Sequence, residues 1–112
     1  MNKGDCVAES YWDNGNLQLI ETLSKDNYLT LINFNRDGKK WKETRVDPEN
    51  EKHGIQRLYF ENGFLKIEES YEHGILLYQK TFNRYGQPLT TDLFENGLLK
   101  KKIIQMVGVL EF

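Results

Sequence analysis

The chain is 112 residues long and carries 15 lysine and arginine residues against 17 aspartate and glutamate residues, for a formal net charge of −2. Nucleic-acid binders usually hold a basic excess that displaces counterions from phosphates, so this balance argues against a nucleic-acid partner. Hydrophobic residues make up 38% and aromatic residues 12%, which is typical of a folded protein with much wet surface and excludes a disordered chain. We expect one domain spanning residues 1–112.

Features of export and membrane insertion are missing from the sequence. Cys6 is the single cysteine, so no disulfide can form within the chain. No apolar stretch approaches the ~20 residues that a bilayer-spanning helix needs, and residues 1–10 lack the hydrophobic segment of a signal peptide. We therefore expect a cytoplasmic protein, or an exported domain that lacks its leader.

Turn signals recur along the chain at nearly even spacing. An aromatic residue stands four positions before a glycine in four places: Tyr11/Gly15, Phe34/Gly38, Tyr59/Gly63 and Phe82/Gly86. Those glycines are 23, 25 and 23 residues apart. Further turn signals lie between and after them, at Asp26-Asn27, His53-Gly54, His73-Gly74, Asn96-Gly97 and Gly108. The chain therefore turns about every eleven residues, and two turns make one repeat.

Several of these turns carry an Asn-Gly or Asp-Gly pair, the strongest short-range signal for a β-hairpin. Both residues tolerate the positive φ that a type I′ turn requires. The pairs are Asn14-Gly15, Asp37-Gly38, Asn62-Gly63 and Asn96-Gly97. We predict six structural turn glycines: Gly15, Gly38, Gly63, Gly74, Gly86 and Gly97.

The runs between the turns have the alternation of half-buried strands. Leu65, Ile67 and Tyr71 alternate with polar and charged residues, and no segment keeps a helical period over three turns. The longest polar interruption, residues 47–52, contains Pro48, which cannot donate to a ladder, so we predict a loop there. The prediction is an all-β fold of eight to ten short antiparallel strands in a meander of repeated β-hairpins, about 23 residues per repeat.

The recurring residues resemble the MORN repeat, and more closely its degenerate bacterial variant. The residues that carry the resemblance are Gly54, Tyr59, Asn62-Gly63, Leu65, Tyr71, Gly74, Phe82, Gly86 and Leu89. His53-Gly54-Ile55 and His73-Gly74-Ile75 resemble the first part of the family's His-Gly-x-Gly element, although Gln56 and Leu76 replace its second glycine. The resemblance covers residues 11–105 and implies a single-layer sheet, with repeats at roughly 8–30, 31–54, 55–77 and 78–107.

The resemblance also implies a class of function. Bacterial members of this variant are commonly labelled antitoxin-like, and relatives elsewhere are scaffolds or membrane-surface modules. The repeat itself implies no catalytic residues.

Candidate catalytic and metal-binding residues do not converge in the sequence. His53 and His73 each precede a turn glycine, and a repeat position explains them more economically than a zinc site, which needs three or four ligands at short spacing. Cys6 has no neighbouring histidine to activate it. Glu68 and Glu69 are strand neighbours that point to opposite faces and cannot act as one acid–base pair. We expect no enzymatic activity, no metal site and no cofactor.

The aromatic residues are the best candidates for a binding surface. A single-layer sheet carries more of them than it can cover, and exposed aromatic patches mark interaction sites. Cross-strand packing within the sheet is the alternative explanation for any one of them. We place the candidate interaction surface at Trp12, Trp41, Tyr59, Tyr71, Tyr78 and Phe82.

Three functional hypotheses follow. The leading one is a non-enzymatic module that binds one dedicated protein partner, of the antitoxin or immunity type. The first alternative is a scaffold on a phospholipid surface, which the net charge of −2 disfavours because anionic lipid attracts basic patches. The second is self-association into a homo-oligomer through the terminal strands, residues 7–13 or 98–107, because open sheet edges must be blocked or paired.

Overall fold

The computed structural model describes residues 6–105 as one antiparallel sheet of nine strands. The strands are β1 (Cys6–Tyr11), β2 (Leu17–Leu23), β3 (Leu29–Phe34), β4 (Lys40–Val46), β5 (Gly54–Tyr59), β6 (Leu65–Glu72), β7 (Ile75–Phe82), β8 (Pro88–Glu95) and β9 (Leu98–Ile104). Their order in the sheet is their order in the chain. No helix in the described residues is long and apolar enough to cross a membrane. The predicted single-layer antiparallel meander of eight to ten short strands is confirmed.

Six of the eight connections share one turn geometry. The first residue of the turn donates its N–H to the carbonyl four residues on, and the fourth residue donates back to the first. The turns begin at Trp12, Ser24, Asn35, Asp47, Phe60 and Asn83. In each, the fourth residue has positive φ, as in a type I turn that is followed by one left-handed residue.

The remaining two connections are two-residue hairpin turns. His73-Gly74 joins β6 to β7, and Asn96-Gly97 joins β8 to β9. Both residues of each pair have positive φ, which is the type I′ geometry.

The type I′ prediction therefore needs correction at three of its four places. At Gly15, Gly38 and Gly63 only the glycine is left-handed, because the asparagine or aspartate before it sits at the third position of the longer turn. In two of these turns the third residue is an asparagine that accepts a backbone N–H. The Asn14 side-chain oxygen accepts the Asn16 N–H, and the Asn62 side-chain oxygen accepts the Phe64 N–H. All six glycines assigned to turns have positive φ.

The sheet is thin and has no buried apolar core. Among residues 7–105 no hydrophobic residue is buried, and the buried residues are Glu43, Asp47 and Gln56. The Cα radius of gyration is 16.6 Å, against about 13 Å for a compact domain of similar length. Solvent reaches both faces, so the fold depends on ladders, turns and cross-strand pairs more than on enclosure.

The three buried polar residues lie together at the junction of β4 and β5, in the middle of the sheet. This ladder has two registered residue pairs, Lys42↔Leu58 and Glu43↔Arg57, whereas the others have five or six. Side chains complete the contact between the two strands here. The predicted loop at residues 47–52 is the turn that begins at Asp47, with Pro48 at its second position, where fixed φ is favourable.

Candidate functional site

Two neighbouring turns lie at the same end of the strands, and a tryptophan in one contacts an arginine in the other. Trp12 begins the β1–β2 turn and donates its indole Nε1–H to the carbonyl of Phe34 at 3.1 Å. The guanidinium carbon of Arg36, in the β3–β4 turn, lies 4.9 Å from the centroid of the Trp12 ring. Arg36 also forms an ion pair with Asp13. A cation over an indole face is held by the ring quadrupole, and this pair orients both side chains.

Side chains of the first turn also bind the backbone of the second. The side-chain amides of Asn14 and Asn16 both donate to the carbonyl of Arg36, at 3.1 and 2.6 Å. Rigid positioning of aromatic and arginine side chains lowers the entropy lost when a partner binds.

A second tryptophan lies beside this pair. Trp41 is the residue left unpaired in a β-bulge, since Asn33 pairs with Lys42 and Phe34 pairs with Lys40. It is 40% exposed. These two turns, the bulge and the β5–β6 turn border an open cleft of about 600 Å³, which we call the tryptophan cleft. Its lining residues are Trp12, Asn35, Arg36, Asp37, Trp41 and Glu61.

An aromatic–arginine arrangement of the same kind recurs once at this end of the strands. Arg84 lies 5.2 Å from the ring centroid of Phe60, and Asn62 donates its side-chain amide to the Arg84 carbonyl at 3.0 Å. These residues lie 48 positions after Arg36, Trp12 and Asn14 respectively, so alternate turns at this end of the strands are alike. The recurrence places a smaller aromatic ring where the cleft has an indole.

Two of the predicted aromatic residues are instead part of a charged network on one face of the sheet. Glu43 is buried and accepts bonds from Lys40 Nζ at 2.7 Å and from Arg57 Nη1 at 3.1 Å. The Tyr59 hydroxyl donates to the same carboxylate at 3.1 Å. Burial works to raise the pKa of Glu43, but the bonds from Lys40 and Arg57 outweigh it and hold that pKa below its ordinary value.

The network continues across the sheet through Glu68. Arg57 Nε donates to Glu68 at 3.1 Å, and the Tyr78 hydroxyl donates to the other Glu68 oxygen at 2.8 Å. Burial and the bond to Glu68 raise the pKa of Tyr78. The hydroxyls of Tyr59 and Tyr78 are thus satisfied within the sheet, which favours the cross-strand explanation for these two rings.

The last two predicted aromatic residues lie apart from both groups. Tyr71 is on the opposite face, where its hydroxyl donates to Glu69 at 3.3 Å, and Lys52 lies over its ring. Phe82 is half-buried at the end of β7, opposite Pro88. The structure therefore brings Trp12 and Trp41 together, and leaves Tyr71 and Phe82 outside the cleft.

At the other end of the strands, in the β4–β5 and β6–β7 connections, two histidines and an aspartate meet. His73 Nδ1 lies 2.6 Å from Asp47 Oδ2, and His53 Nδ1 accepts the backbone N–H of His73 at 3.0 Å. The two imidazole rings lie 4.2 Å apart between centroids, at 34°. One ligating atom from each of the three residues lies within 4.8 Å of the others. Of the described residues, these three are the group whose donor atoms could hold a metal ion.

The cluster is buried at the carboxylate and open at one imidazole. The Asp47 side chain is 0% exposed and the His73 side chain is 51% exposed. The hydrogen bond to Asp47 raises the pKa of His73, and the same bond lowers the pKa of Asp47. The sequence interpretation treated the histidines as separate repeat positions. Their equal place before a turn glycine was the available clue, because corresponding positions of successive hairpins lie side by side.

Comparisons with known proteins assign no family to this chain. A scan against protein-family models finds no match, and a search of curated proteins finds none either.

Proposed function

We propose that this protein is a non-enzymatic module that binds one dedicated protein partner through the tryptophan cleft. The MORN-variant resemblance, carried by the turn and strand residues, supports a partner relationship of the antitoxin or immunity type. The proposal rests chiefly on one observation, namely that the sheet buries no hydrophobic residue among residues 7–105.

Apolar surface left open on this scale favours a partner that covers part of it. Large hydrophobic side chains remain exposed along the sheet, from Val7 in β1 to Ile104 in β9. Removing apolar surface from water contributes about 25 cal/mol per Å², so a partner that covers it gains affinity. Contiguous exposed apolar patches are typical of interaction sites rather than of monomer surfaces.

The chemistry of the tryptophan cleft favours it as the centre of the interface. Tryptophan and arginine are the residue types most enriched among binding hot spots. Trp12 and Arg36 are held in place by hydrogen bonds and by the Asp13 pair, while Trp41 presents its ring to solvent. Acidic and basic groups both line the cleft, so a protein surface of mixed polarity fits it better than a uniformly charged polymer.

The experiment is a comparison of partner capture by the tagged wild-type chain and two variants. Trp41→Ala removes the exposed ring of the cleft, and Tyr85→Ala removes a more exposed ring, 78% accessible, in the β7–β8 turn outside the cleft. The source organism's lysate is washed at low and then high salt, and captured proteins are identified and quantified by mass spectrometry.

We expect one stoichiometric, salt-resistant partner on the wild type and on Tyr85→Ala, with capture reduced at least tenfold on Trp41→Ala. Hot-spot truncations commonly cost about 2 kcal/mol or more, which supports that size of effect. Equal capture by all three chains, or no captured protein at all, contradicts the proposal.

Self-association through β9 is a second candidate, favoured by the exposure of that strand. All seven residues of β9 are exposed, Leu98 by 73% and Ile104 by 67%. An exposed edge strand is a template for pairing with another chain. Light scattering after size exclusion should give a dimer mass for the wild type and a monomer mass for Ile104→Lys. A monomeric wild type rules out this candidate.

A further inference from the structure

We propose that Asp47, His53 and His73 bind a divalent transition-metal ion of the zinc class. The donor set is two imidazole nitrogens and one carboxylate oxygen, a combination that suits Zn²⁺ and its first-row neighbours better than Mg²⁺ or Ca²⁺. The site lies at the opposite end of the strands from the tryptophan cleft, and it stands independently of the proposed partner binding.

The distances require only small shifts, because Asp47 Oδ2 and His73 Nδ1 must move apart from 2.6 Å and the third donor must come closer. The three donor atoms lie within 4.8 Å of one another. Ligand atoms on a tetrahedral zinc, at about 2.1 Å from the metal, lie roughly 3.4 Å apart. Rotation of the half-exposed His73 ring and a shift of His53 can supply that change, while water fills the remaining position.

The buried member of the site is already oriented. Asp47 Oδ1 accepts the backbone N–H groups of Glu49 and Glu51, both at 2.9 Å, which leaves Oδ2 aimed at His73. A metal ion would replace the proton that Asp47 Oδ2 and His73 Nδ1 share. Ligating carboxylates in metal centres are commonly hydrogen-bonded in this way, which sets their orientation.

The backbone at His73 provides a separate argument. His73 has φ of 45° at the first position of its two-residue turn, where the corresponding turn of β8–β9 has Asn96. Histidine, like asparagine, is enriched in this left-handed conformation, so the turn accepts either residue. The turn therefore holds the His73 imidazole against Asp47 at little conformational cost.

The chain itself supplies conservative test variants. His73→Asn puts at this turn the residue that Asn96 provides in the other one. Asp47→Asn keeps an oxygen for the two N–H groups, as Asn35 and Asn83 do at the same turn position. His53→Asn keeps an acceptor at the position of Nδ1 for the His73 N–H. Cys6→Ser, which removes the only thiol, and Asp37→Asn are the controls.

The measurement is titration of the metal-free chain with Zn²⁺ by calorimetry and with Co²⁺ by visible absorption. We expect one ion per chain, a raised Tm with Zn²⁺ and a tetrahedral Co²⁺ spectrum. The controls should behave as the wild type, while each of the three ligand variants should bind at least tenfold more weakly. Circular dichroism without metal establishes that each variant is folded, and an unfolded one is judged by the other two.

Two outcomes would overturn the proposal. One is the absence of saturable binding by the wild type. The other is binding that survives in the folded ligand variants or disappears in Cys6→Ser, which would place the ion elsewhere.

Discussion

Gln56 joins β4 to β5 by binding the backbone of Arg45 through its side chain. Its Oε1 accepts the Arg45 N–H at 2.9 Å, and its Nε2 donates to the Arg45 carbonyl at 2.8 Å. The side-chain amide thus does what a peptide group does in an ordinary ladder. It does so where the two strands have only two registered pairs, and it is 6% exposed.

Replacing Gln56 should therefore destabilise the fold more than the loss of one side-chain hydrogen bond would, because its amide makes two bonds to the Arg45 backbone. Gln56→Leu keeps the volume but leaves the Arg45 N–H without its acceptor. We expect the free energy of unfolding to fall by about 1–3 kcal/mol, the cost of an unsatisfied buried donor. Urea unfolding measures it.

Gln79→Leu is the matched control, because Gln79 is half-buried and its amide binds the Glu69 side chain rather than a backbone. We expect a loss below about 1 kcal/mol there. Equal losses in the two variants would contradict the role assigned to Gln56.

Glu43 should make stability depend on acid pH. Its pKa is held below the ordinary value of 4.5, so its stabilising contribution is fully present above that pH and is lost as pH falls through the lower folded pKa. We expect the Glu43 contribution to the free energy of unfolding to stay level from about pH 7 to pH 5 and to fall below about pH 4.5. Urea unfolding as a function of pH tests this.

Glu43→Gln isolates that contribution from those of the other carboxylates. Near neutral pH we expect it to cost about 1–3 kcal/mol, less than for a fully buried pair because Arg57 is partly exposed and keeps Glu68. The difference between wild type and variant should shrink as pH falls. A difference that is the same at pH 3 and pH 7 would show that Glu43 is not the group responsible.

The indole hydrogen bond of Trp12 should be separable from its ring. Trp12→Phe keeps an aromatic ring beneath Arg36, as Phe60 does beneath Arg84, but loses the bond to Phe34. We expect a loss of about 0.5–1.5 kcal/mol in unfolding free energy. Trp41→Phe is the comparison, since the described contacts include no hydrogen bond from its indole, and it should unfold like the wild type. If Trp12→Phe is as stable as the wild type, the contact of the ring with Arg36, and not the indole hydrogen bond, is what orients residue 12 in the cleft.

Gly97 tests the cost of a left-handed backbone without a steric component. Its φ is +81°, and a Cβ there would meet no atom within 4 Å. Gly97→Ala should cost about 1–2 kcal/mol, the penalty for an L-residue in that conformation, and Gly97→Asn should cost less. Thermal and urea unfolding measure both. An alanine variant as stable as the wild type would mean that the turn changes type to accommodate it.

The strands and turns could be predicted because their causes are local. Leu65 and Ile67 alternate with polar neighbours, and a glycine or asparagine marks each change of direction. Glu68 and Glu69 do lie on opposite faces, since one binds Arg57 and the other binds Gln79. The predicted last strand, residues 98–107, begins as expected but ends at Ile104, with Gln105 outside it, and residues 106–107 lie outside the described part of the chain. The predicted first strand, residues 7–13, ends at Tyr11 because Trp12 begins the β1–β2 turn.

The turn type was harder to predict because an Asn-Gly pair fits two geometries. Asn96-Gly97 forms the two-residue turn, whereas Asn62-Gly63 ends a longer one. The difference depends on how far the flanking strands extend, which is a property of their register and not of the pair itself.

The candidate sites depended on contacts between hairpins, which the repeat pattern showed only indirectly. Trp12 and Trp41 line one cleft because the β3–β4 bulge takes Trp41 out of the ladder beside the β1–β2 turn. The register shifts in the same way at the aromatic residue of each repeat, Tyr11, Phe34, Tyr59 and Phe82, so the aromatic–glycine period marks the bulge without showing which residue it leaves unpaired. Asp47 belongs to the interrupted, polar segment, so nothing in the period connects it with His73, 26 residues later.

The 48-residue recurrence has a consequence for how cooperatively the chain unfolds. In the described chain each strand contacts only the strands next to it, so stability is a sum of hairpin and neighbour terms. Strands β1–β4 and β5–β8 are then two similar units, joined by a short ladder and by the side chains of Glu43, Asp47 and Gln56. Cooperativity between the halves is therefore concentrated in polar side chains. Weakening those three would let one half of the molecule lose its order while the other keeps it.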